Sequence, residues 1–313
     1  MNFWKRKRTS PSADGLIVAA TRSSDAEAGS SEAAPAPAPP VDAVDADALP
    51  DFSMPPAGVS LERSFCQNGF AWVPEVFDQN EMALLRRSAI AQFPDNQPPF
   101  QPQFNSTAVY REPFRLVFRN RKFIDSLRKV LGDDFVFVNS FGLHDSFYVG
   151  WHTDTSTPEG KGGHEFHWSP GFCVVQTAIY LQDNGENGGG LDVVPGSYVR
   201  DDLFAAQMRR ENGFPVAREP VNEYANGVTI RSRAGDVVMF HLRLSHRASR
   251  RRSEAKADAD RKLAMFMVAG ANNALTRRYS AWLDEYAQMS GTPRTEVTDD
   301  FRSLLSGIGH SVV

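Results

Sequence analysis

Between residues 135 and 268 the chain is broken into short β-rich runs, and nothing else in it narrows the fold as much. Phe135-Val-Phe-Val-Asn-Ser-Phe141, Phe172-Cys-Val-Val-Gln-Thr-Ala-Ile-Tyr-Leu181, Leu191-Asp-Val-Val194, Val228-Thr-Ile-Arg-Ser232, Asp236-Val-Val-Met-Phe240 and Leu263-Ala-Met-Phe-Met-Val268 are each bounded by Gly, Asn, Asp or Pro. Many short strands joined by such turns indicate a sandwich or barrel. The expected class is mainly β with flanking helices.

The helices are signalled on either side of these runs. Val59–Phe65 has apolar positions at helical spacing, and Gly69-Phe-Ala-Trp-Val-Pro74 reads as a short strand ended by proline. Asp78-Gln-Asn-Glu81 has the spacing of a capping box and opens a helix to about Phe93. Arg121–Leu131 is a second helix, stopped by Gly132. Leu275–Met289 and Val297–Leu305 are two more, after the last strand. Pro94–Ser106, with its repeated prolines, reads as an extended loop near the mouth of a pocket.

Residues 1–57 are rich in Ala, Pro, Ser and Asp, with Ala34-Pro-Ala-Pro-Ala-Pro-Pro40 at their centre. So little large apolar surface does not offset the entropy of ordering, so a disordered tail is expected there and a single domain over 58–313. Lys5–Arg8 and the apolar Gly15–Ala20 imitate a signal peptide, but the apolar run is shorter than the roughly 7–15 residues an h-region needs. With no membrane span either, a soluble cytoplasmic protein is expected.

A net charge of −4 gives no general attraction to nucleic acid or to an anionic membrane, which leaves a small-molecule partner. The two cysteines, Cys66 and Cys173, have no spacing for zinc or redox work and are expected to be buried, in a reducing compartment. Nothing in the sequence sets the oligomeric state.

The chemistry centres on Gly150-Trp-His-Thr-Asp154 and on His246 in Phe240-His-Leu-Arg-Leu-Ser-His246. In a strand over 147–154, His152 and Asp154 share a face because side chains alternate with period two. Adding one more imidazole gives a set of two histidines and one carboxylate with the opposite face of an octahedral metal open, as in non-heme Fe(II) oxygenases. His241 and His246 stand five residues apart and point to opposite faces of a strand, so only one of them can serve. His164-Glu-Phe-His167 is an alternative zinc pair, but it has no cysteine partner.

Trp151-His-Thr-Asp154, Asn187-Gly-Gly-Gly-Leu-Asp-Val-Val-Pro-Gly-Ser197 and Gly235-Asp-Val-Val-Met-Phe-His241 with His246, in this order, resemble the phytanoyl-CoA dioxygenase-like family of Fe(II)- and 2-oxoglutarate-dependent oxygenases. The resemblance spans roughly residues 60–280. It implies a double-stranded β-helix, a jelly-roll barrel with helices on one side. It makes His152, Asp154 and His246 the iron ligands, with 2-oxoglutarate and O2 as cosubstrates. The implied reaction is hydroxylation of a C–H bond with release of succinate and CO2, and the presence of Asp154 favours it over halogenation, where halide takes the carboxylate's place.

The resemblance also implies an arginine on the next strand for the distal carboxylate of 2-oxoglutarate. Arg261 is the choice, because it opens the last β-rich run, whereas Arg250, Arg251 and Arg252 lie in a polar turn. The assignment balances charge: Fe(II), one carboxylate ligand, the 2-oxoglutarate dianion and one cation sum to zero. Gln176 and Asn139 are further candidates for the cosubstrate pocket. Tyr148, Trp151, Trp168 and Arg243 are candidates for the substrate wall, and Tyr198 replaces the histidine that commonly follows Pro-Gly-Ser. A jelly-roll module that holds metal without redox chemistry is the alternative function.

Overall fold

Two sheets pack face to face, and their strands are placed so that neighbouring residues serve opposite surfaces. In the computed structural model the described residues are 49–54, 58–93, 102–104, 107–145, 151–155, 166–167, 169–184, 190–199, 227–249, 261–289 and 294–313. The chain divides into two units, Met1–Ala46 and Asp47–Val313, and the described residues belong to the second.

The larger sheet has the order β1 (Phe70–Val73), β7 (Val237–His241), β4 (Val174–Tyr180), β9 (Leu263–Gly270), β3 (Val136–Asp145) and β10 (Ser311–Val312), with β2 (Pro102–Phe104) also paired to β3. The smaller sheet is β6 (Val228–Ile230), β5 (Leu191–Val193) and β8 (His246–Ala248). From β4 to β9 the chain passes from large sheet to small and back twice, which is jelly-roll alternation.

Inside the sandwich, Ala178, Tyr180, Val238, Phe240 and Ala264 of the large sheet meet Leu191, Val193 and Ile230 of the small one. On the outer face of the large sheet, Leu143, Val175, Ile179, Met239, Leu263, Met265 and Met267 pack under helices. Both faces of β4 and β9 are therefore covered, which is why their sequences are nearly continuous apolar runs rather than alternating ones.

The covering helices begin and end where their caps dictate. In α1 (Leu61–Asn68) the Ser60 side chain accepts from the Arg63 amide, and Gly69 at φ 79° ends the helix. The capping box of α2 (Gln79–Ile90) is complete: Asp78 accepts from the Asn80 and Glu81 amides, and Glu81 accepts from the Asp78 amide. After the short α3 (Leu116–Arg119) comes α4 (Arg121–Leu131), capped by Asn120 and ended by Gly132. The long α5 (Ala274–Met289) lays Tyr279 and Trp282 over Val138, Phe172, Val174 and Val268 at one end of the sandwich interior, and α6 (Asp299–Gly307) packs Phe301 and Leu305 on the outer core.

Three expectations are corrected. The tail does not extend to residue 57. Asp51 bridges Thr229 and pairs with Arg231, and Phe52 meets Phe70 edge-on at 4.8 Å, so residues 49–54 belong to the domain. Leu49 and Phe52 supply the apolar surface that the Ala/Pro-rich stretch before them lacks. Cys66 is exposed and Cys173 half-buried rather than both buried, since Cys66 falls on the outward side of α1. Within the expected loop Pro94–Ser106, residues 102–104 form a strand on β3, and 94–101, 105 and 106 lie outside the described residues. Among the described residues no helix is long and apolar enough to cross a membrane.

One turn joins the helical layer to β7. The Gly235 carbonyl accepts from the Val76 and Phe77 amides, while Asp236 accepts from the Trp72 indole, the Glu75 amide and the Arg233 amide. Gly235 has φ 95°, and an added Cβ would lie 2.4 Å from the Phe77 carbonyl oxygen. Gly235→Ala is therefore expected to lower stability by at least about 2 kcal/mol, read as a melting temperature reduced by roughly 5 °C.

Candidate metal centre

His152, Asp154 and His246 offer ligand atoms that all lie within 4.8 Å of one another, the only such cluster of three among the described residues. His152 Nε2 is 3.5 Å and His246 Nε2 3.7 Å from Asp154 Oδ1, and the two imidazole rings are 4.2 Å apart between centroids. His246 comes from β8, directly opposite Val193 of β5, and shares that residue's inward face. The strand expected over 147–154 is reduced to one bridge among the described residues, in which His152 and His246 exchange both amide hydrogen bonds at 2.9 Å. That single bridge suffices to bring the two histidines side by side.

The donor set fits a divalent metal. His246 Nδ1 is 2.9 Å from the Leu244 carbonyl, which can only accept, so the proton sits on Nδ1 and Nε2 presents a lone pair toward Asp154. Burial pushes the His246 pKa down to about 4, with further help from His152, so the ring is neutral. Burial opposes ionisation of Asp154, but His246 and His152 outweigh it and hold the carboxyl below its usual range. Asp154 Oδ2 is buried with no hydrogen-bond partner among the described residues. A buried carboxylate oxygen left in this state costs free energy unless a cation completes it. Phe240 lies against His246 at 4.6 Å and forms an apolar wall.

The phytanoyl-CoA dioxygenase (PhyH) family matches residues 65–259, more than half of the chain. The chain belongs to the phytanoyl-CoA dioxygenase family. A curated relative, ectoine dioxygenase of Streptomyces avermitilis, is 24% identical over 228 residues, 63% of this chain and 74% of that one. HygX from Streptomyces hygroscopicus, solved with iron bound, aligns with a TM-score of 0.52 at 17% identity over 66% of this chain and 84% of that one. The same protein with nickel and 2-oxoglutarate bound gives 0.51 at 16% identity over the same shares. At these identities the structural likeness establishes the fold. Family membership, with the triad in place, makes this chain an Fe(II)- and 2-oxoglutarate-dependent dioxygenase.

The other predicted site residues of the dioxygenase separate by the face they occupy. Gln176 stands on the inner face of β4, level with Val268 and with Phe240, the residue that packs on His246. Arg261 does not. Its guanidinium pairs with Asp145, with Nε at 3.0 Å from Oδ2, and its carbonyl accepts from Arg86 of α2 at 3.1 Å. Asp145 follows the parity of Phe141 and Leu143, which lie in the outer core, so this ion pair is on the helix side of the large sheet. Asn139 is likewise engaged elsewhere: at the β3 bulge its side-chain oxygen accepts from the Tyr110 hydroxyl and its amide donates to the Thr295 carbonyl.

Trp151 is turned away from the triad because it alternates with His152. It packs with Val194 and Leu49, with the Arg247 guanidinium 4.9 Å from its ring centre. Arg243 lies in the β7–β8 turn beside His241, whose Nδ1 accepts from the Arg243 amide. His241 is tied by Nε2 to the Phe172 carbonyl at 3.0 Å and packs on Phe65 and Tyr198, apart from the triad; it ends β7 of the large sheet while His246 opens β8 of the small one, so the two do not share a strand as expected. Tyr198 donates to the Cys66 carbonyl at 2.5 Å, so it fastens α1 to the sandwich. His167 sits among Phe166, Phe172, Tyr279 and Trp282, outside any metal-ligand cluster of the described residues. Tyr148, His164, Trp168 and Arg250–Arg252 lie outside the described residues.

Two further titratable residues turn to the inner face of the large sheet, His144 and Lys262. His144 of β3 lies against Phe266 with ring centres 4.4 Å apart, and is kept neutral with a pKa of about 3 by burial first and the charge of Lys262 second. Lys262 is 7% exposed, its ammonium 5.6 Å from the Tyr180 ring centre and 3.4 Å from the Gly190 carbonyl. Burial lowers its pKa to about 7. The usable signal was parity: Lys262 stands two before Ala264, an inner-face residue, whereas Arg261 stands two before Leu263, an outer-face one.

Two outcomes follow. His246→Ala is expected to abolish stoichiometric iron binding while His241→Ala retains it, measured by iron content after anaerobic loading and desalting. Between the folded Lys262 value of about 7 and its ordinary 10.5, the unfolded chain binds more protons than the folded one, so this lysine makes stability rise with pH. Melting curves are expected to show the parent gaining on Lys262→Met as pH increases from 7 to 10.

Proposed function

We propose that this dioxygenase hydroxylates an unactivated C–H bond of a small molecule, with release of succinate and CO2. The observation that carries the reading is Asp154, a buried carboxylate whose Oδ2 has no hydrogen-bond partner among the described residues and which stands beside two imidazole nitrogens. Two histidines and one carboxylate on one face leave the opposite face of an octahedral ion for a keto acid and oxygen. A retained carboxylate ligand favours hydroxylation over halogenation.

When bound, iron with 2-oxoglutarate supplies oxidative decarboxylation of the keto acid, one oxygen atom of O2 entering succinate and the other the substrate. The chain's own residues position and shield. The Leu244 carbonyl fixes the His246 tautomer, and the bridge between His152 and His246 sets the separation of the two rings. Phe240 and Phe266 line the interior next to His246 and His144 and keep bulk water from the site. The net charge of −4 and the relative named for ectoine both support a small-molecule substrate over a nucleic acid.

Anaerobic titration of the protein with Fe(II) and then 2-oxoglutarate is expected to develop the visible charge-transfer absorbance of keto-acid chelation, and His246→Ala to remove it. Admission of 18O2 with candidate substrates is then expected to give succinate and a product heavier by one labelled oxygen. Iron binding with no such absorbance at any 2-oxoglutarate concentration would leave a metal-binding jelly-roll module in its place.

A further inference from the structure

We propose that Tyr279 of α5 positions the substrate, donating a hydrogen bond from its hydroxyl to an uncharged oxygen of a molecule whose apolar body lies between α5 and the triad. The proposal rests on the dioxygenase reading above and deepens it by naming a substrate class: a neutral, largely apolar molecule with a carbonyl, ether or hydroxyl oxygen.

Position is the first observation. β7 ends at His241 and β8 opens at His246, so the short β7–β8 turn and the triad lie at one end of the sandwich. Leu242, the first residue of that turn, belongs to the cluster that Tyr279 and Trp282 form with Val138, Val174 and Val268. Val174 stands two residues before Gln176 in β4, about 7 Å along the strand. Gln176 is level with Phe240, whose ring is 4.6 Å from that of His246. The face of α5 that covers this end is therefore within a small molecule's length of the metal ligands.

An unused donor is the second. Tyr279 is 4% exposed, and its hydroxyl has no hydrogen-bond partner among the described residues. A buried hydroxyl left in this state costs free energy, which a ligand oxygen offsets. The ring itself is well held, edge-on to Phe172 at 6.1 Å and stacked with Trp282 at 5.8 Å. Packing thus accounts for the ring but not for the hydroxyl, since phenylalanine would fill the same space. Burial first and the Asp154 charge second raise the Tyr279 pKa, so the hydroxyl keeps its proton and remains a donor.

The chemistry of the wall sets the class. Valines, Leu242 and aromatic rings surround Tyr279. Arg294, the nearby cation, is committed to the Asn139 and Ser280 carbonyls and to Asp284. An ionic group against such a wall would lose its water without compensation, whereas a neutral oxygen needs a single donor.

The test uses the full chain loaded anaerobically with Mn(II) and 2-oxoglutarate, and three fluorine-labelled probes of similar size: 4-fluoroacetophenone, 4-fluorotoluene and 4-fluorobenzoate. Mn(II) broadens the 19F resonance of a probe held beside the triad, so broadening against protein concentration gives a Kd for that place. The parent is expected to bind the ketone more tightly than the hydrocarbon, and the carboxylate least. Tyr279→Phe is expected to weaken the ketone about 2- to 10-fold, the effect of one neutral hydrogen bond, with 4-fluorotoluene and the melting temperature unchanged. Tyr286→Phe, which removes a hydroxyl from the same helix, is expected to change neither Kd. An unchanged preference for the ketone in Tyr279→Phe, tightest binding of the benzoate, or no Mn(II)-dependent broadening of any probe in the parent would overturn the assignment. Absence of keto-acid chelate absorbance in the Fe(II)-loaded parent would instead overturn the dioxygenase reading.

Discussion

A carboxylate sealed beside two imidazoles is the interaction on which the rest of this structure depends. Asp154 is buried with one oxygen unmatched by any described hydrogen-bond donor, and the rings of His152 and His246 crowd it and each other. The histidines favour the ionised carboxylate, but its Oδ2 has no hydrogen-bond partner among the described residues, and a cation at this point would complete it. Holding them together requires β8 to be fixed in register, and β8 is only three residues long. The sandwich supplies what that short strand cannot: pairing to β5 on one side, the His152 bridge on the other, and Phe240 of the large sheet packed on the His246 ring.

The second constraint is the period of two, which fixes what an error of one residue means. Wherever a run was long or bounded by caps and glycines, the sequence was enough: the capping box at Asp78, the Gly132 stop and the apolar character of β4 and β9 all stand in the structure. These features are local, and each rests on a backbone preference or a pattern repeated over several residues.

The unread features depend on contacts far along the chain. Arg261 and Lys262 are adjacent and both basic, and the polar sequence before them leaves the strand's parity undetermined until Leu263 is seen in the outer core and Ala264 in the inner one. Asn139 looked like a pocket residue because it lies in a strand ahead of the His-x-Asp segment. The β-bulge between Val138 and Phe141 breaks the alternation there, and Tyr110 and Thr295 take up its side chain. Trp151 was read by proximity to His152, although adjacency in a strand means opposite faces.

The same adjacency organises the site as a whole. Several inward residues have a neighbour on the opposite face that anchors the strand: His246 is next to Arg247, which pairs with Asp192 and lies over Trp151, itself the neighbour of His152. His144 is next to Asp145, and Lys262 next to Arg261, and Asp145 and Arg261 are bound to each other. Two outward contact sets therefore hold the four inward residues, one on each sheet. Slipping a strand by one residue would turn a histidine or lysine out of the interior and also break the Arg247–Asp192 or Arg261–Asp145 pair on the opposite face. That double penalty is a reason for the register to be unique, and it places the stabilising residues where substitution disturbs the chemistry without touching it.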